Sequence, residues 1–141
     1  MVSINKSRKI DASSDQVWKI VSNVDKDRDY WGGLSSIRNI RKEGNVIERE
    51  VVIGFMGRTG TQRITLHPKR SIELDLVSGP LRGSRLIRLV PVGANNTRVD
   101  VSWDIQFSEI PVFAQGFVRS RLEEITRKAL ENIAKAAENP K

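Results

Sequence analysis

The residues able to do chemistry in this sequence are few, and their spacing excludes more than it suggests. There is one histidine, His67, and no cysteine. Disulfides, thiolate metal sites and cysteine nucleophiles are therefore excluded. His67 has no HxxE or HxxxH companion with which to hold zinc or iron. Standing just before Pro68 at the polar end of a strand, it is expected to be a solvated turn residue. Gly54, Gly57 and Gly60 recur every three residues, which fits neither the dinucleotide fingerprint nor the P-loop. They suit a hairpin that needs permissive backbone. The carboxylates Asp100 and Asp104 alternate with Arg98 on one side of a strand and read as a solvated face. Nucleophilic or hydrolytic chemistry needs a nucleophile, a base in reach and an orienting group. No residue emerges as catalytic, and no cofactor is expected.

The elements that must position any site are clearer. Pro111 suits a first helical turn, and Phe113, Phe117, Val118, Leu122, Ile125, Ala129, Ile133 and Ala136 then recur at spacings of mostly three and four, predicting one long helix to Ala137. Glu123 with Arg127, Glu124 with Lys128 and Glu131 with Lys135 place an acid four residues before a base on its other side. At about 1.5 Å per residue the helix is roughly 40 Å long and must lie across a large apolar surface.

That surface is predicted from what precedes it. Residues 2–10 alternate as a polar strand near a sheet edge. Ser13 and Gln16 form a capping box for a short helix with Val17, Ile20, Val21 and Val24 as its stripe, and Asp25 is expected to cap a second short turn ending at Trp31 before Gly32-Gly33. From Leu34 the period is two, although between Leu34 and Lys42 the alternation is broken. Strands over 34–42, 46–55, 58–66, 72–76 and 81–92 are separated by turn sequences. The last strand is the clearest, with Val99, Val101, Trp103, Ile105 and Phe107 facing one way. Sequential hairpins give a meandering antiparallel sheet of about seven strands that twists and curves, and the long helix covers its concave face. The class is α+β in one domain spanning residues 1–141, large enough for a core of its own.

No run approaches the ~18–20 apolar residues of a membrane span, and the start MVSINKSRK lacks the apolar stretch of a signal peptide. The expected location is the cytoplasm. The net charge of +7, from 24 basic and 17 acidic residues, is spread without a block of five like charges. Such a field favours nucleic acid, ribosomes and anionic membranes.

This order of elements resembles the START-like (SRPBCC) superfamily, the helix-grip fold of the birch-pollen allergen, polyketide cyclases, lipid-transfer START domains and coenzyme Q-binding proteins. The resemblance covers the whole chain. It rests on Ile10-Asp11-Ala12-Ser13-Ser14-Asp15-Gln16-Val17-Trp18, similar to the family's strand-to-helix opening. It rests also on the 25–31 segment ending in an aromatic, and on the 86–107 hairpin leading into the C-terminal helix. A proline common in the turn before the first helix is replaced by Ser13-Ser14, and serine caps the same helix.

The resemblance implies a cavity between the long helix and the sheet that holds a hydrophobic or amphipathic small molecule. Its expected lining is Ile64, Leu66, Leu74, Leu76, Val101, Trp103 and Ile105 from the sheet and Phe113, Phe117, Leu122 and Ile125 from the helix, with Trp31 at the entrance. An experimental structure whose interior has no void above a few waters' volume would overturn this. Tyr30, Asn39, Arg63, Arg85 and Arg88 are the polar candidates near the mouth.

Three functions compete. The first is a carrier or presenter of a lipid-, quinone-, isoprenoid- or polyketide-like ligand. The second is a basic module contacting ribosome, RNA, membrane or an acidic partner through Arg38, Arg41, Lys42, Arg49, Arg63, Lys69, Arg70, Arg82, Arg85 and Arg88. The third is a cyclase/aromatase-type enzyme, which requires at least two polar side chains converging inside the cavity. Whether the protein is an enzyme at all stays open, with the balance against it, and so does the choice between monomer and dimer.

Overall fold

A computed structural model describes residues 2–139. The strands are β1 (Val2–Ile10), β2 (Leu34–Glu43), β3 (Val46–Ile53), β4 (Arg58–His67), β5 (Ser71–Ser78), β6 (Leu81–Gly93) and β7 (Asn96–Phe107). They form one antiparallel sheet in the order β1-β7-β6-β5-β4-β3-β2. Five successive hairpins give the meander from β2 to β7. The first strand of the chain closes on the last, with Val2 opposite Ile105 and Ile10 opposite Thr97. Both β1 and β2 are therefore edges. β2 carries two register shifts, after Leu34 and after Asn39, which is why its alternation is unreadable in the sequence. Gly57, at φ +61, supplies the left-handed turn residue between β3 and β4.

Between β1 and β2 lie α1 (Ser14–Val21), a 3₁₀ turn (Val24–Lys26) and α2 (Asp27–Tyr30). The expected capping box is present: the Gln16 amide donates to the Ser13 hydroxyl at 3.2 Å, and Gln16 Oε1 accepts from the Ser13 amide at 3.1 Å. Asp25 is no cap; it falls inside the 3₁₀ turn and accepts a 2.9 Å bond from Asn39 on β2. The long α3 (Val112–Glu138) follows Pro111 and buries Val118, Leu122, Ile125, Thr126, Ala129, Leu130, Ile133, Ala134 and Ala137. Its outer side pairs Arg119 with Glu123, Arg127 with Glu124 and Glu131, and Lys135 with Glu131. Only the last of these is among the pairs expected from sequence.

Alternation explains the core. Val99, Val101, Trp103 and Ile105 of β7 are buried and Phe107 half-buried, as their spacing demands. With Ile4, Ile10, Ile47, Ile64, Ile72, Leu74, Ile87 and Leu89 they make the sheet's inner face, on which α3 and α1 rest. No helix among the described residues is long and apolar enough to cross a membrane.

Candidate functional site

Besides Thr97, whose hydroxyl bonds the Ala12 carbonyl, three polar residues occupy inward positions of this apolar face: Arg49 on β3, Gln62 on β4 and Arg85 on β6. Each keeps the parity of buried apolar neighbours, Ile47 and Val51 for Arg49, Ile64 for Gln62, and Ile87 and Leu89 for Arg85. Register brings Arg49 opposite Gln62 and Arg85 opposite Trp103. Asp27, at the start of α2, comes down on them from the helical layer and is 4 % exposed.

Every nitrogen of the Arg49 guanidinium has a partner. Its Nε donates to Gln62 Oε1 at 2.9 Å, one terminal nitrogen to the Val24 carbonyl at 3.0 Å and the other to Asp27 Oδ2 at 2.9 Å. One guanidinium thus ties β3, β4, the 3₁₀ turn and α2 together. Burial lifts the Asp27 carboxyl above its ordinary value against the opposing pull of Arg49 and Arg85.

Arg85 is the opposite case. It is 4 % exposed, and its Nε finds no hydrogen-bond partner among the described residues. Its guanidinium carbon lies 4.3 Å from the Trp31 ring centre and 5.4 Å from that of Trp103. The two indoles meet edge to face at 6.2 Å, and Trp103 is fixed by a 3.0 Å bond from its Nε1 to the Thr126 hydroxyl of α3. Burial pulls the Arg85 pKa down to about 10, against the attraction of Asp27. The group is still a cation at neutral pH. The one buried carboxylate among the described residues, Asp27, is already bonded to Arg49.

These residues wall a cavity of about 60 Å³ completed by Gly33, Leu34, Ile53, Phe55, Leu76, Leu81, Leu122 and Ile125. That is room for only a few waters, against the several hundred Å³ that drug-sized ligands fill. Beyond Ile125 runs an open groove of about 390 Å³ lined also by Tyr30, Gly32, Arg121, Glu124, Lys128 and Asn132. The Ile125 side chain divides cavity from groove, its Cδ1 so near Gly33 that a Cβ there would stand 2.9 Å away.

Of the lining expected from sequence, Trp31, Leu76, Trp103, Leu122 and Ile125 are on this wall. Ile64, Leu74, Val101 and Ile105 are buried in the core away from it, and Leu66 is half-buried against that core. Phe113 and Phe117 are 91 % and 65 % exposed and lie outside the cavity altogether. At 100° per residue Phe113 is about 180° from Leu122, so the regular spacing conceals a drift around the helix. Trp31, 4 % exposed, is an inner wall instead of a doorway. Arg49 and Arg85 are removed from the expected basic surface by burial. Several of the rest are interleaved with acids: Arg38 with Glu50, Arg41 with Glu43, Lys69 with Asp15, and Arg63 between Glu48 and Asp75 in the strand register. Tyr30 and Asn39 bond elsewhere, the Tyr30 carbonyl accepting from Asn132. Arg88 is exposed near Asp100, and exposed His67 lies 3.3 Å from Glu73.

The family described as polyketide cyclase / dehydrase and lipid transport matches residues 1–138. The chain belongs to this family. No curated protein matches the sequence. Among solved structures, the ZhuI aromatase/cyclase from Streptomyces sp. R1128 superposes with a TM-score of 0.85 at 16% identity, covering 97% of this chain and 93% of that one. TTHA0849 from Thermus thermophilus gives 0.83 at 17% identity over 96% and 97%. A START superfamily protein from Mycobacterium smegmatis gives 0.68 at 17% identity over 96% and 94%. At such identities the likeness is one of fold, here the helix-grip fold of the START-like superfamily.

Proposed function

We propose that the protein binds an amphipathic small molecule between α3 and the sheet, as carrier or presenter, and that the ligand brings an anionic or strongly electron-rich oxygen to Arg85. The observation carrying this reading is a buried cation with indoles against it, an unpartnered Nε, and no carboxylate of its own. A buried charge without a partner is costly. A carboxylate, phenolate or enolate oxygen supplies the missing charge and hydrogen bonds, while Trp31, Trp103, Leu76, Leu81 and Leu122 receive an apolar or aromatic body. The cavity around this seat is small, about 60 Å³. A ligand larger than a few waters needs Ile125 to turn away from Gly33, which joins the cavity to the groove beside α3.

The test uses 1-anilinonaphthalene-8-sulfonate and its uncharged parent, 1-anilinonaphthalene, read by quenching of the indoles. The expected result is a preference of about tenfold or more for the sulfonate, abolished in Arg85→Met. Equal affinity for both probes, or a preference that survives the substitution, overturns the reading.

A cyclase reading is favoured by the same cation, because an enolate is the anion on which aldol-type ring closure depends and Arg85 is placed to stabilise one. Conversion of a poly-β-keto thioester to an aromatic product by wild type but not by Arg85→Met distinguishes enzyme from carrier.

A further inference from the structure

Three of the large apolar side chains standing in solvent fall within six residues: Val112 at 83 %, Phe113 at 91 % and Phe117 at 65 % exposed. The others, Ile40, Val46, Val77 and Val92, are single residues on strands or at their ends. Contiguous exposed apolar surface marks an interaction site where scattered residues do not. The buried face of α3 begins only at Val118, so the first turns of the helix stand largely in solvent. Two contacts are made at their base. The Gln115 side chain donates to the Ile110 carbonyl at 3.1 Å, and Arg58 of β4 grips Glu109 at 2.6 Å.

The unpaired flanking charge is Arg121. One turn beyond Phe117, it has no carboxylate within salt-bridge distance among the described residues and lies 5.6 Å from the Phe55 ring centre. Arg119, on the β1 side, is paired with Glu123 at 3.1 Å, and the whole chain carries +7. Phe113, Phe117, Arg121 and Ile125 recur every four residues, a ridge winding from the exposed first turns to the point where Ile125 and Phe55 wall the cavity.

We propose that the N-terminal end of α3 docks on the surface of an anionic lipid bilayer, Phe113 and Phe117 entering the headgroup–acyl boundary while the unpaired Arg121 meets the phosphates. Exposed apolar side chains beside an unpaired cation, on a chain of net charge +7, match this medium. A second copy of the chain would bring +7 against +7. A rigid protein partner would need a hollow for each ring, whereas a fluid interface closes round them.

The experiment is co-sedimentation with vesicles of phosphatidylcholine alone or with about a quarter phosphatidylglycerol, over a series of salt concentrations. Wild type is expected to bind the anionic vesicles at least about tenfold more tightly than the neutral ones, the difference shrinking with salt. Phe113→Ser with Phe117→Ser is expected to weaken binding about tenfold or more with its melting temperature unchanged. Phe117→Trp gains emission that brominated acyl chains quench. Arg85→Met binds vesicles as wild type does, which separates docking from the cavity's own ligand. The proposal is overturned if wild type ignores anionic vesicles or the double variant binds them equally well. It is equally overturned if light scattering shows a dimer that the double variant dissociates while neither protein binds vesicles.

Discussion

Two arginines occupy equivalent inward positions on the same sheet and meet opposite fates. Arg49 directs its donors to Gln62, Val24 and Asp27 and is wholly enclosed. Arg85, about as deep, has indole faces against it and an unpartnered Nε. A guanidinium that closes its own hydrogen bonds holds the 3₁₀ turn and α2 onto β3 and β4; the one left open is the seat we propose for the ligand's oxygen.

The largest test of this contrast is Arg49→Ala. It strands Asp27 and Gln62 in the interior, and the expected loss is about 3–5 kcal/mol of unfolding free energy in a urea titration. A loss under about 1 kcal/mol would mean that Arg49 is no more structural than Arg85.

Arg85→Met is expected to act in the other direction. The drop of the Arg85 pKa to about 10 corresponds to about 3 kcal/mol disfavouring the buried cation, and contact with the tryptophan faces returns about 2 kcal/mol. Methionine fills the space without either term, so a gain of about 1 kcal/mol is expected together with loss of the anionic probe. Stability surrendered to keep an open charge is characteristic of functional sites. A clear destabilisation by Arg85→Met would erase the contrast from the other side.

An effect of similar size is expected in pH. A guanidinium whose pKa is lower in the folded state releases its proton there first, so the folded state gains stability as pH rises through its value of about 10. The advantage of Arg85→Met over wild type is therefore expected to narrow between about pH 9 and about pH 11 in paired denaturation curves. A constant gap would show that Arg85 carries no unusual burden.

Much of this fold is legible in the order of residues alone. The alternation of β7, the box of Ser13 with Gln16 and the permissive Gly57 are local signals that tertiary packing does not override. The phase of α3 is harder to read. Phe113 and Phe117 continue the three-and-four spacing of Leu122 and Ile125, yet the helix face rotates between them, and only the extent of the sheet decides where burial starts. The site is hidden by a sound rule that fails here. Arginine is almost never fully buried, which sends Arg49 to the expected surface and leaves Arg85 both there and among the polar candidates near the mouth, although the parity of Ile47, Val51, Ile87 and Leu89 turns both inward. A charged residue in the apolar register of a clear strand is the signal that exposes them. No pattern in the chain distinguishes the paired arginine from the open one, because Asp27 reaches Arg49 through the packing of α2.

The pairing of β1 with β7 has a consequence for synthesis. Each strand from β2 to β6 finds a neighbour within a hairpin's length, but Val2 waits for Ile105. At about 5–20 residues per second, the first strand leaves the ribosome some 5–20 s before its partner exists. During that interval Ile4 and Ile10 have no sheet to join, and such long-range closure is intrinsically slow. The nascent chain is thus exposed to chaperones or aggregation at its N-terminal strand, and the polar residues between those two isoleucines, Asn5 to Lys9, keep that waiting segment in water.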